Sequence, residues 1–267
     1  MSPMDVEDIL NDALDLVGGE SADLEDEKLT YGPITVSVAP KEGKANTLLA
    51  DHIFSPSLLL AERIERGLLT VSGKNIIELG AGTALPSLIA SIQTPPPRSV
   101  LVTDYPDETI LGSLRQNIAR NSQYVSRSCQ LEFAGYEWGQ DVTPLFEAPG
   151  RPRGGYDVVI LSDLLHFDQS HEVLIHSLTK LLSKTRDARG WIGAGVYTRP
   201  EHCKSFLRRA EKVGLRWLEH GDGEDGRETD TTWRGTLAVQ GLDAEQLGVR
   251  KGMCRWWIAA WDESTLS

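Results

Sequence analysis

Basic residues are scarce in this chain of 267 residues, which carries 27 Lys and Arg against 39 Asp and Glu and a net charge of −12 at pH 7. Nucleic-acid binding needs a basic surface that neutralises phosphates, so we expect no nucleic-acid partner. The negative charge is compatible with a basic protein partner, although acidic surfaces also serve solubility alone.

Cysteines are few and far apart: Cys129, Cys203 and Cys254 are odd in number, and no Cys-x-x-Cys pair occurs. This excludes a disulfide framework and a zinc knuckle, and it favours a reducing compartment. Long apolar runs are missing too, so no membrane span is expected, and the acidic N-terminus resembles neither a signal peptide nor a transit peptide. We therefore expect a cytoplasmic protein.

One stretch combines the marks of a strand, a glycine turn and a helix start. Residues 75–79 form an apolar run, Gly80 and Gly82 follow, and helical periodicity resumes after Leu85. Glycines permit backbone angles and a close ligand approach that a Cβ would hinder. A second apolar run ends at Asp104, about twenty residues after the turn, where an acid that binds ribose hydroxyls is expected. The pattern predicts a nucleotide-type cofactor site, and the alternative is a tight turn without a ligand.

The same stretch departs from the fingerprint of NAD-binding proteins. Leu85 and Pro86 stand where the third glycine of G-x-G-x-x-G would fall, and Glu78, two residues before the first glycine, is not part of that fingerprint. NAD-dependent chemistry is therefore the weaker alternative.

The run Glu-Leu-Gly-Ala-Gly-Thr-Ala-Leu-Pro at residues 78–86 resembles motif I of class I S-adenosylmethionine (SAM) methyltransferases. In this form it is similar to the seven-β-strand lysine methyltransferase family. Residues 102–107, Val-Thr-Asp-Tyr-Pro-Asp, resemble the fungal nicotinamide N-methyltransferase-like branch of that family. The resemblance extends from about Leu48 to the C-terminus, and it implies SAM as cofactor.

The rest of the chain alternates predicted strands and helices, which specifies an α/β fold with a mostly parallel sheet. The resemblance implies a Rossmann-like sheet of seven strands with helices on both faces and an antiparallel last strand. Predicted strands cover residues 31–40, 75–79, 99–103, 129–133, 156–163, 191–197, 215–219 and 255–261, and predicted helices cover 47–66 with a break near Pro56, 108–121, 171–182 and 201–213.

The N-terminal 28 residues are predicted to be separate from the methyltransferase domain of residues 29–267. Apolar residues recur at helical spacing over residues 1–17, with acidic residues between them, and an acidic linker follows Gly18 and Gly19. The alternatives are a helix packed on the core and a flap over the acceptor site.

The candidate site residues are those predicted at the carboxyl ends of the strands, because ligands of open α/β sheets bind at that edge. SAM needs an acid for its ribose, a glycine turn beside its methionine part and an aromatic slot for adenine. The resemblance places Phe54 where the family usually carries a Trp near the cofactor, and it places Trp138 against adenine. The predicted cofactor-binding residues are Phe54, Glu78, Gly80, Gly82, Asp104, Tyr105, Trp138 and Ser162, and Tyr197 is expected at the same edge.

Asp163 and His166 are the predicted catalytic residues. The lysine methyltransferases carry Asp-x-x-Phe or Asp-x-x-Tyr here, whereas this chain has Asp-Leu-Leu-His. A histidine can accept a proton near neutral pH, which an aromatic wall cannot do. The alternative is a loop histidine without a role. A metal site at His166, Asp168, His171 and Glu172 is disfavoured, because a loop-to-helix cluster without cysteines is a weak signal and motif matches of this kind are often false.

Three functions are consistent with these features. The first is methyl transfer from SAM to a heteroatom, favouring nitrogen, of a small molecule, with Asp163 orienting the acceptor and His166 assisting proton removal. The second is methylation of a protein lysine or N-terminal amine, for which the acidic surface would suit a basic partner. The third is a catalytically inactive SAM-binding protein.

Overall fold

A computed structural model describes residues 28–147 and 150–266. The predicted helix over residues 1–17 and nearly all of the acidic linker lie outside the described residues, so the proposed division at residue 28 stays a prediction. Among the helices of the described ranges, none combines the length and apolar character that crossing a bilayer requires.

Strands and helices alternate through most of the described chain. The strands are β1 Lys28–Tyr31, β2 Ile34–Ser37, β3 Asn75–Leu79, β4 Ser99–Asp104, β5 Gln130–Gly135, β6 Val158–Ser162, β7 Arg189–Gly195, β8 Leu215–His220 and β9 Cys254–Trp261. The helices are α1 Gly43–Thr47, α2 Ser55–Glu65, α3 Leu85–Ser91, α4 Glu108–Asn121, α5 Pro144–Glu147, α6 His171–Leu181, α7 Pro200–Lys212 and α8 Ala244–Gly252.

Seven strands form one sheet in the order β5-β4-β3-β6-β7-β9-β8. The pairs from β5 to β7 are all parallel, whereas β9 runs antiparallel to both β7 and β8. Every residue of β3, β4 and β9 is buried, which fits strands that are covered on both faces. The predicted Rossmann-like fold with an antiparallel last strand is confirmed.

Alternate residues of the central strands enter two separate hydrophobic cores. In β3, Ile76 joins a core with α2, α3 and the β1–β2 hairpin, whereas Ile77 joins a core with α6 and α7. In β6, Val158 and Val159 divide in the same way. The strict period of two in a strand therefore builds a three-layer molecule from continuous apolar runs.

Three elements differ from the sequence-based expectation. The single strand predicted over residues 31–40 is a hairpin, because Gly32 takes a positive φ of 55° and Pro33 completes a turn inside the run. The helix predicted over residues 47–66 is two helices: α1 ends at Thr47, residues 48–54 are not helical, and α2 begins at Ser55 with Pro56 in its first turn, which agrees with the predicted break near Pro56. The helix α8 was not predicted, although the capping box of Asp243 and Gln246 marks its start.

Glu65 ties the hairpin to the segment that precedes α8. Its Oε2 accepts a hydrogen bond from the Tyr31 hydroxyl at 2.6 Å. Its Oε1 accepts from the backbone N–H and the hydroxyl of Thr236 at 2.6 and 2.7 Å, and from the Leu237 N–H at 2.8 Å. One carboxylate at the end of α2 thus satisfies four donors from two distant parts of the chain.

We expect Glu65→Ala to lower the free energy of unfolding by about 3 kcal/mol, because it leaves the buried Tyr31 hydroxyl and two backbone N–H groups without their acceptor. Urea denaturation measures this change. The control is Glu263→Ala, which removes an exposed ion pair with Arg186 and should change stability by less than about 0.5 kcal/mol. Equal effects of the two substitutions would contradict the role assigned to Glu65.

Candidate active site

A cavity of about 260 Å³ opens where β3, β4, β5 and β6 end. Nine of the ten predicted site residues line it: Phe54, Gly80, Gly82, Asp104, Tyr105, Trp138, Ser162, Asp163 and His166. The lining also includes residues that were not predicted: Leu48, Leu49, Ala50, His52, Ser57, Ala81, Thr83, Tyr136, Glu137, Leu164, Phe167, Ser170 and Val173.

The glycine turn forms the floor of this cavity. Gly80 and Gly82 have φ angles of 55° and 52°, a region that L side chains rarely adopt. A Cβ on Gly80 would lie 2.8 Å from a Leu164 methyl carbon and 2.9 Å from the Trp138 ring. A Cβ on Gly82 would meet open space. Gly80 is therefore required for packing, whereas the space beside Gly82 is available to a ligand.

Asp104 is fixed by the backbone of this turn. Its Oδ2 accepts a hydrogen bond from the Gly82 N–H at 2.7 Å, and its Oδ1 accepts from the Tyr105 N–H at 2.7 Å. Burial raises the pKa of Asp104 to about 6, and the two hydrogen bonds oppose that shift. Each oxygen keeps a further lone pair, so the carboxylate can accept hydrogen bonds from two ligand hydroxyls.

Glu78 lies outside the cavity lining, unlike the other predicted site residues. The alternation of side chains along β3 places it on the face that α3 covers, where its Oε2 accepts a hydrogen bond from the Ser87 N–H at 3.3 Å. Its Oε1 has no hydrogen-bond partner among the described residues. Burial raises the pKa of Glu78 to about 8, so the side chain carries a proton at neutral pH. We infer that Glu78 stabilises the start of α3 through its hydrogen bond with the Ser87 N–H.

Asp163 stands in a strained backbone position just after β6. Its φ is 64°, which is uncommon for a residue with a side chain and is typical of sites held in place by their surroundings. Its Oδ1 accepts a hydrogen bond from the Gly195 N–H at 2.9 Å, and the Tyr197 hydroxyl donates to its Oδ2. Burial raises the pKa of Asp163, and the nearby His166 opposes this shift.

The two ring nitrogens of His166 are shielded from solvent. Within residues 28–147 and 150–266 neither makes a hydrogen bond of good geometry, although the Asp163 backbone lies near enough to raise the pKa of the imidazole. Burial lowers the pKa of His166, which favours the neutral imidazole, and the nearby Asp163 opposes this shift. Buried polar groups are rarely left without partners. An imidazole in this state can accept one hydrogen bond and donate another to a ligand in the cavity.

Three aromatic rings, one of them that of His166, lie close together beside Asp163. The ring centroids of Phe54, His166 and Tyr197 are 6.1 to 6.5 Å apart, so the rings form a nearly equilateral triangle. Phe167 packs against His166 at 4.0 Å and against Trp138 at 5.7 Å, which joins this triangle to the residues beside the glycine turn. We name Phe54, His166 and Tyr197 the aromatic triangle. With Asp163 bonded to Tyr197, it offers a site for an amine or an ammonium group.

Two histidines lie in positions that were not expected from the sequence. His171 turns away from the cavity and is 1% exposed, and its Nε2 makes a 2.9 Å hydrogen bond with the Leu165 carbonyl. The described ranges contain no group of three or more metal-ligating side chains. His52, which was not predicted, lines the cavity beside Phe54. No pattern in the sequence pointed to His52. Its place two residues before Phe54, a predicted site residue, was the one available clue.

Residues 41–213 match the lysine methyltransferase family model. The chain belongs to the lysine methyltransferase family. The resemblance seen in the glycine turn is therefore confirmed. All the residues that line the cavity lie within the matched segment.

Relatives named "Protein N-terminal and lysine N-methyltransferase efm7" occur in Aspergillus fumigatus and Schizosaccharomyces pombe. The first is 32% identical over 118 residues, which cover 44% of this chain and 45% of the relative. The second is 30% identical over 170 residues, which cover 63% of this chain and 62% of the relative. The matches therefore span about half to three fifths of these relatives.

Among solved structures, a putative SAM-dependent methyltransferase from Streptococcus mutans superposes with a TM-score of 0.51 at 14% identity. The superposition covers 91% of this chain and 56% of that one. At this identity the likeness shows a shared fold.

The cavity of this lysine methyltransferase family member has the groups that SAM requires. Asp104 presents a fixed carboxylate for ribose hydroxyls, and Gly82 leaves open space at the turn. Tyr105 and Trp138 supply rings for a flat heterocycle. The residues present therefore fit the cofactor that the sequence predicts.

The free energy of unfolding of the ligand-free protein is expected to fall as the pH rises from about 5 to about 8, in part because of Glu78. An unfolded glutamate loses its proton near a pKa of about 4.3, whereas folded Glu78 keeps its proton up to its pKa of about 8. The folded state thus binds the extra proton in this interval, and stability declines with rising pH.

Glu78→Gln should flatten this decline, because the amide has the shape of the protonated acid without its titration. Urea denaturation at several pH values measures the slope. The exposed Glu263→Gln serves as the control and should leave the wild-type slope in place. An unaltered slope in Glu78→Gln would show that burial does not raise the pKa as described.

Proposed function

We propose that this protein is a SAM-dependent N-methyltransferase that acts on a protein amine, either a lysine side chain or an N-terminal amine. The observation that carries this proposal is the aromatic triangle next to Asp163. Phe54, His166 and Asp163 line the same cavity as the cofactor-type groups, whereas Tyr197 does not line it and adjoins Phe54 and His166. The sequence alone favoured a small-molecule acceptor. The names of the relatives, protein N-terminal and lysine N-methyltransferases, support the protein alternative instead.

The cofactor would occupy the part of the cavity between the glycine turn and Asp104. SAM supplies a methyl group on a positively charged sulfur. Once the methyl group has been transferred, the sulfur is part of a neutral thioether. The chain therefore needs no acid for the leaving group. Its residues must bind the acceptor, remove water from around it and align it.

The aromatic triangle would receive the acceptor nitrogen. Ring faces attract a cationic ammonium, and their apolar edges exclude water from it. Asp163 lies at the side of this space, and the Gly195 N–H and the Tyr197 hydroxyl hold its carboxylate in one orientation. A fixed carboxylate can accept a hydrogen bond from one N–H of the acceptor. This bond orients the nitrogen, so that its lone pair points away from the carboxylate.

Deprotonation is the chemical task that remains for the protein. A lysine amine has an ordinary pKa of about 10.4 and an N-terminal amine one of about 8, so both arrive protonated. Only the neutral amine has a lone pair for the new bond. The neutral His166 in the aromatic triangle is able to accept a hydrogen bond from the amine and to assist proton removal.

Label transfer tests this function directly. The purified chain is incubated with methyl-labelled SAM and a whole-cell extract, and the macromolecules are then separated from small molecules. We expect label in protein, at lysine or at an N-terminus after hydrolysis and amino-acid analysis. The isosteric Asp163→Asn should reduce the incorporation about 10²-fold, because the acceptor loses a fixed charged partner.

Two results would contradict the proposal. Label in the small-molecule fraction would restore the metabolite acceptor that the sequence alone favoured. Binding of SAM, seen as a rise in Tm, without transfer to any fraction would identify a cofactor-binding protein without activity.

His166→Phe tests the imidazole apart from its ring shape. The phenyl ring restores the residue type of the family motif and keeps the aromatic triangle, but it removes both nitrogen atoms. We expect the transfer rate at neutral pH to fall about 10²-fold while the Tm shift caused by SAM is retained. A full rate in His166→Phe would show that His166 serves only as an aromatic wall.

A further inference from the structure

An Asp–His pair stands at the cavity in the segment between α1 and α2. The Nδ1 of His52 lies 2.8 Å from the Oδ1 of Asp51. Asp51 is 1% exposed, and its Oδ2 has no hydrogen-bond partner among the described residues. His52 lines the cavity and stacks on Phe54, with ring centroids 5.7 Å apart and planes inclined by 27°.

A structural role alone does not account for the burial of Asp51. A buried carboxylate is costly unless its oxygens are satisfied, and here one oxygen has His52 as its partner while the other has none in the described chain. Asp51 does not cap α2, whose N-cap is Phe54 without a side-chain hydrogen bond. Leu49, two residues earlier, has a φ of 57°, so the same segment also contains backbone strain.

We propose that His52 takes up the proton that the acceptor amine loses, and that Asp51 is the positioning residue that fixes the tautomer of His52. This inference rests on the proposed function. A carboxylate only accepts hydrogen bonds, so the Nδ1 of His52 carries the hydrogen and Nε2 keeps a free lone pair. An imidazole ordered in this way is ready to receive a proton at Nε2.

The transfer breaks one N–H bond and one S–C bond and forms one N–C bond. One N–H bond of the ammonium breaks, its electron pair stays on nitrogen, and the proton moves to Nε2 of His52. The imidazolium that forms is stabilised by the Asp51 carboxylate. The amine lone pair then forms the N–C bond while the S–C bond of the methyl donor breaks. His52 returns its proton to water, so each transfer releases one proton.

Solvent access separates the roles of the two histidines. Both nitrogens of His166 are shielded from solvent, so a proton held there has no direct exit. The side chain of His52 is 12% exposed and belongs to the same cavity. The Phe54 ring packs against both imidazoles. In this proposal His166 assists proton removal as the hydrogen-bond partner of the amine, whereas His52 takes up the proton and connects the cavity to water.

Several titratable groups share this environment and enter any pH profile. Asp51 and Lys44 belong to the segment of His52 itself, and Lys44 lies 5.6 Å from the centre of the Tyr105 ring. The groups that line the cavity from the other elements are Asp104, Tyr105, Tyr136, Glu137, Asp163 and His166, and Tyr197 adjoins Phe54.

The test compares His52→Gln, Asp51→Asn and the control His202→Gln in the label-transfer assay with total extract protein as acceptor. His202 also stands beside a carboxylate, 3.8 Å from Asp168, but it does not line the cavity. We expect His52→Gln to lower the initial rate about 10²-fold near pH 7, Asp51→Asn to lower it less, and His202→Gln to match the wild type. The Tm shift caused by SAM should persist in all three.

The pH profile distinguishes proton uptake from a packing role. The deficit of His52→Gln should shrink as the pH rises towards about 10, because the solution then supplies the acceptor amine already deprotonated. A deficit that stays constant with pH, or a full rate near pH 7, would overturn the inference while leaving the proposed function intact. A wild-type protein that labels no protein would overturn both.

Nitrogen NMR of the ligand-free protein gives a readout without turnover. In the wild type, neutral His52 should carry its hydrogen on Nδ1 and leave Nε2 bare, and Asp51→Asn should lose this single tautomer. A hydrogen on Nε2 in the wild type would overturn the assignment. This measurement also decides the matter if His52→Gln fails to fold, because it needs only the wild type and the isosteric Asp51→Asn.

Discussion

The site depends on carboxylates that are buried at the ends of parallel strands and are held there by backbone N–H groups. Asp104 accepts from Gly82 and Tyr105, and Asp163 accepts from Gly195. Burial raises the pKa of both acids, and these hydrogen bonds oppose the shift. Because the donors belong to the main chain, the geometry of the sheet and its loops sets the orientation of each carboxylate.

Backbone strain is concentrated around the same cavity. Leu49 and Asp163, which line the cavity, and Ala84, which follows the lining residue Thr83, each have a side chain and a positive φ, and in the described ranges Asp225 is the fourth such residue. Such positions persist only where the surrounding structure is well stabilised. The stabilising contacts lie elsewhere: Glu65 collects four donors, and buried Glu62 pairs with Lys251 at 3.1 Å. Stability and site geometry are thus supplied by different parts of the chain.

Local signals explain why much of the site could be predicted. A glycine pair after an apolar strand and an acid at the end of the next strand are short-range features, and both lie at the cavity. Glu78 shows the limit of such reasoning. The motif includes it, but the alternation of side chains in β3 turns it towards α3 and Ser87. Asp51 and His52 lie in a segment that was predicted to be helical and is not, so nothing in the sequence indicated their pairing.

By itself, the sequence determined the fold class, because hydrophobic periodicity and glycine turns act over a few neighbouring residues. The resemblance of residues 78–86 to motif I indicated the family and predicted the edge of the sheet at which the cofactor would bind. The tertiary structure decided which side chains meet. Parallel pairing of β6 with β7 brings Tyr197 to Asp163, and packing of the segment before α2 brings His52 and Phe54 to the cavity. These contacts join residues far apart in the chain, and only the burial of shared apolar surface specifies them.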